Sequence, residues 1–407
     1  MANTCACPAM ARFSPRSRPD PAGSRPSARQ HHASLDSIIT FDFPVAGSEG
    51  RRRVQSKKRI TSFDIAEKAG VSQATVSRAL RGDPSVSCET RRRVEAAAVA
   101  LNYTVDKNAS NLRGRLTGTL ALLFFEDPTP DDSHINPFFL SMLGSITRAC
   151  ARHGYDLLIS FQELARDWHA DFAESKKADG IILLGYGDYL THTSRLEKLR
   201  ARGTRIVSWG AVMPDQPCVT IGCDNFSGGR SITEHLLDQG CRRIAFLGDA
   251  SRHFPEFQER YRGHLQALRA RGVVPDDALQ VDAESSQQEG RRATETLLAR
   301  GEPFDAIFAA SDLIAIGAIG ALSAQGIGVP FEVAVAGFDD IPMASFVNPP
   351  LTTVQQDTRR AGEMLVDSLL RLIHNEPVES RMLPMKLMVR RSSLWQDVAH
   401  VEHANKD

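Results

Sequence analysis

Four small or hydrogen-bonding side chains between positions 73 and 78 are spaced so that they could face one partner. They are Gln73, Ala74, Ser77 and Arg78, and their spacing of one, three and four residues places them on one side of a helix. In a DNA major groove, Gln can pair with adenine, Arg can pair with guanine, and Ala can contact the methyl group of thymine. This chemistry predicts a face that reads double-stranded DNA. An ordinary helical hairpin with solvated polar residues is the alternative.

The surrounding segment, Thr61 to Leu80, has the layout of a helix-turn-helix, in which two short amphipathic helices flank a Gly-Val-Ser corner. Thr61 can cap the first helix, with Asp64 as its acidic partner in the first turn. Gly70 lets the chain turn without a side-chain clash, and Ser72 can cap the second helix. The pattern therefore predicts that the DNA-reading side chains lie near a helix N-terminus.

Apolar residues in the same region predict a small three-helix core. Val76 and Leu80 recur at four-residue spacing and can pack on the first helix. A third helix is predicted to begin at Ser87, after the turn at residues 82–84. Three short helices over about fifty residues form a minimal core. They indicate a helix-turn-helix domain over residues 57–104.

Positive charge is concentrated in this part of the chain. Residues 51–115 contain 15 Lys and Arg and 6 acidic residues, a net charge of +9, whereas the whole chain is formally neutral. The remainder is therefore acidic by the same amount. Such asymmetry predicts a partner that carries phosphates at this end only. A solvated basic face is the alternative, but it would not explain why the charge is confined.

The composition bounds the class of protein. A chain of 407 residues with 42% hydrophobic residues can bury a large core and allows two or three domains. No apolar run approaches the length of a membrane span, so none is expected. Residues 1–56 are rich in Pro, Arg and Ser and lack the apolar core of a secretory signal, so we expect a disordered leader rather than an organelle presequence. Residues 396–407 are expected to form a flexible tail.

The seven cysteines include no zinc-type Cys-x-x-Cys pair. Free cysteines beside regular elements usually behave as small hydrophobes, and a reducing cytoplasm is their natural location. A redox switch at Cys218 and Cys223 is the alternative. Neither a metal nor a cofactor is expected.

From Thr117 onward, short apolar runs alternate with helical stretches. The alternation predicts parallel sheets with right-handed crossovers, and the units suffice for two doubly wound lobes with a crossover near Asp215–Gly222. Ligands of such sheets bind at the carboxyl ends of the strands, which two lobes would bring into a cleft. The predicted strands are Thr119–Phe125, Tyr155–Ser160, Gly180–Leu184, Arg205–Ser208, Val219–Cys223, Arg243–Leu247, Ala306–Ala310 and Ala334–Phe338. The predicted helices include Phe138–Arg152, Glu234–Gln239, Arg291–Arg300 and Ile314–Gln325.

Ordered motifs recur between about Arg59 and Ser393. They are Asp64-Ile-Ala-x-x-Ala-Gly-Val-Ser-x-x-Thr-Val-Ser-Arg, Val86-Ser87-x-x-Thr90-Arg91, Leu101-Asn102-Tyr103, Asn136-Pro137-Phe138-Phe139, Asp224-Asn225, Arg260-x-x-Gly263, Ser311-Asp312-x-x-Ala315-x-Gly317-Ala318, Gly337-Phe338-Asp339-Asp340 and Pro350-Leu351-Thr352-Thr353. On these motifs the chain resembles the lactose-repressor (LacI/GalR) family of bacterial transcription regulators. The resemblance implies an N-terminal all-α helix-turn-helix headpiece plus an α/β two-lobed core like that of periplasmic binding proteins, with two doubly wound parallel sheets over 117–395.

The resemblance also implies a homodimer whose headpieces dock in successive major grooves of a pseudo-palindromic operator. Residues 105–116 resemble the family's hinge helix, and Leu112 matches the leucine that wedges into the minor groove. Packing of Leu112 on the core is the alternative, and Val105 stands where the family usually has Pro, which implies a looser linker. The residues predicted to bind DNA are Thr61, Ser72, Gln73, Ala74, Thr75, Ser77, Arg78, Asn108, Ala109 and Leu112.

In the cleft, the resemblance implies an effector site. Arg260 aligns with the family's effector-binding arginine and Asp339 with a carboxylate at a strand end, and such a pair can hold neighbouring hydroxyl groups. Ser311 aligns with a polar contact, and Trp209 with a cleft position where its ring could stack on a sugar. The alternatives are a surface ion pair for Arg260, a turn cap for Asp339 and a core position for Trp209. Further candidates for the cleft, or else for the core, are Phe139, Phe254 and Phe257.

These features predict a ligand-responsive transcriptional regulator, a repressor in the simplest form, that binds operator DNA and senses a small molecule. A sugar or sugar derivative is the first expectation, and a nucleobase or nucleoside is the alternative. A periplasmic-type sugar-binding protein is expected to have a secretory signal and no headpiece. This sequence shows a predicted headpiece and no recognisable secretory signal. The sequence contains no complete phosphate-binding loop, dinucleotide fingerprint or nucleophile elbow, so these motifs give no indication of an enzyme. A cytoplasmic, nucleoid-associated protein is expected.

Overall fold

A computed structural model of the chain describes residues 60–80, 82–103, 116–124, 135–161, 169–185 and 188–395. The expected leader, the expected tail and hinge residues 105–115 lie outside these ranges. The helices are α1 (Ser62–Ala69), α2 (Gln73–Leu80), α3 (Cys88–Ala100), α4 (Pro137–Arg152), α5 (Tyr189–Ala201), α6 (Asn225–Asp238), α7 (Pro255–Ala270), α8 (Gln287–Arg300), α9 (Asp312–Ala324) and α10 (Thr358–Ile373). The strands are β1 (Thr119–Phe124), β2 (Asp156–Phe161), β3 (Gly180–Leu184), β4 (Ile206–Trp209), β5 (Val219–Cys223), β6 (Ile244–Leu247), β7 (Gln280–Val281), β8 (Ala306–Ala309), β9 (Ala334–Ala336), β10 (Thr353–Gln356), β11 (Arg381–Leu383) and β12 (Met385–Met388).

Helices α1 to α3 pack around their own small core, as predicted. The turn between α1 and α2 is made by Gly70, whose φ of 63° lies in the left-handed region that favours glycine. Ser87 caps α3 by accepting a hydrogen bond from the Thr90 amide at 3.3 Å. Five of the nine buried hydrophobic residues are alanines, so this core is thin. The nine are Ile65, Ala66, Ala69, Val76, Ala79, Val86, Val94, Ala97 and Ala98.

The first lobe is a six-stranded parallel sheet in the order β11-β5-β4-β3-β1-β2. Side chains of β1 alternate between its two faces. Leu120 and Leu122 join the large core beneath α4 and α10, whereas Ala121 and Leu123 join a second core on the side of α5. Strand β2 is left at the open edge.

The second lobe is a four-stranded parallel sheet in the order β7-β6-β8-β9. Helices α6 and α7 pack on each other, as do α8 and α9. Strands β10 and β12 form a separate antiparallel pair beside this lobe. The predicted fold class, an all-α headpiece plus a two-lobed α/β core with parallel sheets, is confirmed.

The chain passes from one lobe to the other at three points: after β5, between β10 and α10, and between β11 and β12. The predicted crossover near Asp215–Gly222 is therefore placed too early. Strand β5 is still paired with β4 and β11 in the first sheet, so the first crossing follows Cys223. The two later crossings carry the chain back through the same region. The alternation of strands and helices in the sequence did not predict them.

Helix α6 begins at Asn225, nine residues before the predicted start at Glu234. Its first half includes Gly228 and Gly229, which weaken a helical pattern in the sequence. An added Cβ at Gly229 would meet the backbone of Arg260 on α7. The close crossing of α6 and α7, rather than helix propensity, fixes these turns.

The sequence placed most other boundaries well. Seven of the eight predicted strands agree with observed strands to within one residue at each end, apart from Phe125, which lies outside the described residues. The last, predicted to run to Phe338, ends at Ala336, because the chain there turns into an unusual backbone conformation at Asp339. Across the described residues, no helix combines the length and apolar character that crossing a membrane requires.

Candidate DNA-reading face and effector cleft

Helix α2 presents the predicted DNA-reading residues away from the headpiece core. Ala74 and Arg78 are exposed and Ser77 is partly exposed, whereas Val76 on the opposite side is fully buried. The Arg78 Nε donates to the Ala74 carbonyl at 3.4 Å, which lays the guanidinium along the helix surface. The small residues of this face leave room for the edges of bases.

The N-termini of α1 and α2 lie side by side. Gln73 Nε2 donates to Ser62 Oγ at 3.2 Å, which joins the first residues of the two helices. Because helix N-termini carry partial positive charge and unpaired amides, two adjacent N-termini suit contact with phosphate groups.

The three remaining hydroxyl residues of the predicted DNA-binding set hold these helix ends. The Thr61 amide and hydroxyl both donate to the Asp64 carboxylate, each at 2.7 Å. Ser72 Oγ accepts from the Thr75 amide at 3.2 Å and bonds the Thr75 hydroxyl at 2.8 Å. Both predicted caps of α1 and α2 are confirmed. The predicted hinge contacts Asn108, Ala109 and Leu112 lie outside the described residues.

A cavity of about 280 Å³ lies between the two lobes. The first lobe contributes Phe138 and Ser141 from the N-terminal turns of α4. Residues 339–342, Ser345, Gln355, Gln356 and Thr358 provide the other walls. Its volume is near the lower end of the range for small-molecule sites. Of the four predicted effector residues, Asp339 lines this cavity.

Asp339 and Asp340 form a turn in a backbone conformation that few residues adopt. Their φ values are 118° and 52°, in the left-handed region. Such a conformation persists only where surrounding contacts fix it. Arg390 donates to the Asp340 carboxylate at 2.7 Å, and Gln355 donates to it at 2.8 Å. The turn is therefore held by side chains from two other segments, which fixes the direction of the Asp339 side chain.

Asp312 supports the same turn from beneath. Its carboxyl group accepts from the Ile341 amide at 2.8 Å and from the Thr353 hydroxyl at 2.5 Å. Burial, together with the nearby negative charge of Asp339, raises the pKa of Asp312 well above its usual value. Its two accepted hydrogen bonds hold the chain on both sides of the turn.

Arg260 lies behind Asp339 in the protein interior, with 1% of its side chain exposed. Its Nε donates to Asn225 Oδ1 at 2.9 Å, and NH1 donates to the Ala310 carbonyl at 2.5 Å. NH1 lies 3.6 Å from Asp339 Oδ1, and the guanidinium sits 3.7 Å from the ring centre of Phe338. The alternative of a surface ion pair is therefore wrong: this is a buried pair. Removal of either partner would leave the other charge uncompensated.

Ser311 and Trp209 are packed into the structure around the cavity. Ser311 caps α9 by accepting from the Ile314 amide at 3.4 Å, and it also accepts from the Ser285 hydroxyl at 2.9 Å. Trp209 is 6% exposed and lies 5.9 Å from the ring of Phe138. In this conformation Phe138, not Trp209, provides the aromatic wall. Phe139 and Phe257 are core residues, and Phe254 is partly buried.

Among the described residues, three hydrogen bonds and one ion pair join the lobes across the cleft. The Tyr189 amide donates to the His253 carbonyl at 2.9 Å, and the His253 ring lies 2.9 Å from the Asp188 carboxylate. The remaining two run from the Ala211 amide to Glu256 Oε1 at 2.9 Å and from Asn136 Nδ2 to Ser285 Oγ at 3.4 Å. The cleft is therefore bridged on more than one side of the cavity.

Two site residues that the sequence interpretation missed lie at the lobe crossings. Gln356, the last residue of β10, donates to Asp339 Oδ1 at 2.6 Å and accepts from the Cys223 thiol at 2.9 Å. Asn225, two residues after β5, accepts from Arg260. The available signal in the sequence was a polar residue at or just beyond the end of a buried strand. This signal could not be interpreted because the positions of the lobe crossings were not predicted.

The described cysteines are free thiols. Burial raises the pKa of Cys223 to about 12 and also raises the pKa of Cys218. A thiol that resists ionisation is a poor nucleophile, so the two residues do not have the properties of a redox switch in this conformation. Among the described residues, no group of His, Cys, Asp or Glu is arranged to hold a metal ion.

Comparisons with known proteins match both the helical headpiece and the α/β core. A family model for bacterial regulatory proteins of the lacI family matches residues 63–106, and a periplasmic binding protein-like domain matches residues 233–393. The HTH-type transcriptional repressor CytR of Escherichia coli K12 is 30% identical over 348 residues, which cover 84% of this chain and 99% of the relative. This chain belongs to the LacI family.

Two solved structures of the family extend the match to the whole architecture. A complex of the transcriptional regulator CelR with cellobiose superposes with a TM-score of 0.62 at 30% identity, covering 82% of this chain and all of that one. The lac repressor dimer bound to operator and the anti-inducer ONPF superposes with a TM-score of 0.70 at 26% identity, covering 83% and 100%. The predictions of family, fold class and ligand-responsive DNA-binding regulator are confirmed. All three relatives are transcriptional regulators by name.

Proposed function

We propose that this chain is a homodimeric, cytoplasmic repressor without catalytic activity. It binds a pseudo-palindromic operator, and its operator affinity changes when a sugar or sugar derivative occupies the cavity between the lobes. The domains are then a headpiece at 57–104, a hinge at 105–116 and a sensor core at 117–395. The observation that carries this proposal is the buried Arg260–Asp339 pair beside a cavity that both lobes enclose.

For DNA, the proposal assigns base contacts to Gln73, Ala74, Ser77 and Arg78. The hydroxyls of Thr61, Ser72 and Thr75 hold the two adjacent helix ends, whose amides would meet the phosphate backbone. Hinge residues Asn108, Ala109 and Leu112 would enter the minor groove between the two half-sites. One headpiece with so thin a core makes few base contacts, so two copies held together would provide the specificity.

For the effector, Asp339 accepts hydrogen bonds from neighbouring hydroxyl groups at the cavity wall, and Arg260 fixes the Asp339 charge from behind. Phe138 is the aromatic residue that lines the cavity, and its ring, 1% exposed here, can stack on a sugar ring once the lobes open. Ser311 and Trp209 reach the ligand if the lobes open and repack. The bound cellobiose of the CelR complex supports a sugar, and a nucleoside is the alternative because its ribose presents the same vicinal hydroxyls.

The homodimer is supported by apolar surface on both lobes. Edge strand β2 exposes Leu158, Ile159 and Phe161, of which Phe161 is 57% exposed. An exposed apolar edge strand of this kind needs a cover in a soluble protein. A second copy of the chain is the proposed cover, and the similar lac repressor structure is that of a dimer.

On the second lobe, α9 is apolar on all sides, which is typical of a helix that is buried all round. Leu313 and Ile316 are nevertheless only partly buried, and Phe346 of the same lobe is 87% exposed. These residues form the proposed second contact. Dimer contacts on both lobes would let a change in the lobe arrangement move the two hinges and thereby alter operator affinity.

Selection of binding sites from random duplex DNA tests the DNA-binding half of the proposal. We expect enrichment of a pseudo-palindromic sequence by the wild-type protein and loss of that enrichment in a variant carrying Arg78→Ala and Leu112→Ala. Unchanged selection by the double variant would contradict the assignment.

A thermal-shift panel of sugars and nucleosides tests the effector half. A compound that raises Tm should also change operator binding in a gel-shift assay. Asp339→Asn should abolish that response and leave operator binding intact, whereas the control Asp238→Asn, at an exposed ion pair on α6, should respond normally. If Asp339→Asn responds to the same compound with unchanged affinity, the cavity is not the effector site.

A further inference from the structure

The charge of the cavity walls restricts what can bind there. Among the described residues that line it are Asp339 and Asp340, and no Lys, Arg or His. Glu256 adds a third carboxylate at the cleft. It lies one helical turn before Arg260 on α7 and accepts from the Ala211 amide of the first lobe at 2.9 Å.

The two guanidinium groups that contact the aspartates of the cavity wall are already engaged by the protein. Arg260 is bonded to the Asn225 side chain and the Ala310 carbonyl and is paired with Asp339. Arg390 donates to the Leu351 carbonyl and to Asp340, each within 2.8 Å. An anionic group on the effector would have to displace one of these acceptors before it met a positive charge.

Helix N-termini are the other groups that attract anions, and the two that begin at the cavity are capped. Asn136 Oδ1 accepts from the Phe138 amide at 3.0 Å at the start of α4. At the start of α10, the Asp357 carboxylate accepts from the Arg360 amide at 2.9 Å. The second cap brings a further negative charge to this end of the cavity, which disfavours an anion there.

Glu256 belongs to the cleft by geometry as well as by charge. An added Cβ at Gly210 would lie 3.1 Å from Glu256 Oε1, so the carboxylate is in contact with the loop that follows β4. Burial raises the pKa of Glu256, whereas hydrogen bonds from backbone amides, including that of Ala211, and the positive charge of Arg260 favour the ionised form. Glu256 is therefore a carboxylate of the second lobe that is held against the first lobe at the cleft.

We infer that the effector is an uncharged polyhydroxylated molecule, and that Glu256 acts with Asp339 to reject its anionic derivatives. This inference rests on the proposed function and narrows it. Carboxylates accept hydrogen bonds from hydroxyl groups and repel phosphate and carboxylate groups in a water-poor site. Sugar phosphates, uronic acids and nucleotides are therefore excluded, whereas neutral sugars and nucleosides remain.

The test compares neutral compounds with their anionic partners by thermal shift and calorimetry. The pairs are ribose with ribose 5-phosphate, glucose with glucose 6-phosphate, galactose with galacturonate, and cytidine with cytidine monophosphate. At least one neutral compound should bind, and its anionic partner should bind at least about tenfold more weakly. The inference is overturned if an anionic member binds as tightly as its neutral partner, or if no neutral member binds.

Glu256→Gln tests the role of this residue, since it keeps the shape and the acceptor for Ala211 but removes the charge. The ratio of anionic to neutral dissociation constants should fall at least about threefold, with neutral binding nearly unchanged. The control Glu259→Gln, on the same helix and paired with Arg262, should leave the ratio as in the wild type. An unchanged ratio in a folded Glu256→Gln protein would contradict its role, and the wild-type panel decides the charge class even if that variant does not fold.

Operator binding of the ligand-free protein is measured in parallel by gel shift. Loss of all specific DNA binding would refute the proposed function, whereas tight binding of an anionic compound with normal operator binding would refute only the charge inference. The two failures are therefore distinguishable.

Discussion

In the headpiece, the residues expected to read DNA lie on the exposed side of α2, whereas in the cleft the residues expected to hold the effector are buried and bonded to one another. Arg78 touches only its own helix among the hydrogen bonds described here. Arg260 is bonded to three separate segments of the second lobe and its crossings. One site is a surface whose members act separately, and the other is a network whose members depend on each other.

The comparison teaches how each site can change. A DNA-reading surface of separate side chains can acquire a new sequence preference one residue at a time, since substitutions at exposed positions cost little stability. The effector network cannot change one residue at a time in this way. The removal of one member leaves a buried charge or a strained turn without support. Changes in ligand preference are therefore expected at its periphery, for example at Glu256, rather than at Arg260.

The largest expected effect tests whether two headpieces must act together. Ile159→Asp and Phe346→Asp combined place charges on both proposed dimer contacts, so the protein should sediment as a monomer. Operator affinity should then fall by about 10²- to 10⁴-fold, as when linked binding sites are separated. Val274→Asp, at a residue 85% exposed but outside the proposed contacts, should remain dimeric with normal affinity. A double variant that stays dimeric in ultracentrifugation would place the interface elsewhere.

The next effect tests the independence of the exposed side chains. Arg78→Ala should weaken operator binding by about 1–3 kcal/mol per half-site and relax the preference at one base pair. Thermal stability should be unchanged, because the side chain contributes to no core. Gel-shift titrations against operators that vary at each position measure the loss of affinity and the relaxed preference. Lys386→Ala, at an exposed residue of β12, is the control for the loss of one positive charge. A uniform loss across all operators would instead indicate a phosphate contact.

Acid should weaken the core rather than the headpiece. His264 is buried and lies 3.0 Å from the Thr233 hydroxyl, and burial lowers its pKa from 6.5 to about 3. The unfolded chain takes up a proton near pH 6.5 that the folded core refuses, so the stabilising contribution is present above pH 6.5 and is lost as the pH falls. The loss is about 2 kcal/mol at pH 5.

His264→Phe should reduce this acid sensitivity, because Thr233 still donates to the Gly229 carbonyl and the aromatic contacts of position 264 are kept. Denaturant unfolding of the core at pH 5 and pH 7 measures the effect, with exposed His374→Gln as the control. The helix-turn-helix segment 57–104 contains no histidine, so its unfolding should lack this component. Equal acid destabilisation in His264→Phe and the wild type would assign the effect to other groups.

The smallest effect concerns a cap of the headpiece. Ser72→Ala removes the acceptor for the Thr75 amide and should cost about 1 kcal/mol of headpiece stability. Hydrogen exchange of α2 amides in the full chain should speed up, while exchange in the core stays unchanged. Ser72→Gly should cost only a few tenths of that amount. Equal exchange in all three proteins would mean that the cap contributes nothing.

Much of the molecule could be predicted from the sequence because its signals are local. The caps at Thr61, Ser72 and Ser87 each depend on a residue three positions away, and all three are observed. Eight of the twelve described strands were also predicted, since a buried parallel strand is a short apolar run. Helix α6 was predicted only in part, because its first turns depend on the packing of Gly229 against α7.

The sequence predicted which residues belong near the effector site better than it predicted how they are arranged. Asp339 lines the cavity, but Trp209 and Ser311 are packed around it and Phe138 takes the aromatic position. Nothing local in the sequence indicates that Gln356 would bond Asp339, or that Glu256 would reach the first lobe. Those contacts join residues far apart in the chain, and the three lobe crossings bring them together.

By itself, the sequence determined the family, the helix-turn-helix, the parallel-sheet architecture and the concentration of positive charge at the DNA-binding end. These depend on residue type and short spacing, which periodicity and capping translate directly into structure. Only the tertiary structure decided where the lobes cross, how the Asp339–Asp340 turn is held, and that Arg260 and Arg390 beside this turn are already paired. The reason is physical: burial and pairing set the energy of a charge, and both are properties of what surrounds a residue rather than of its neighbours in the chain.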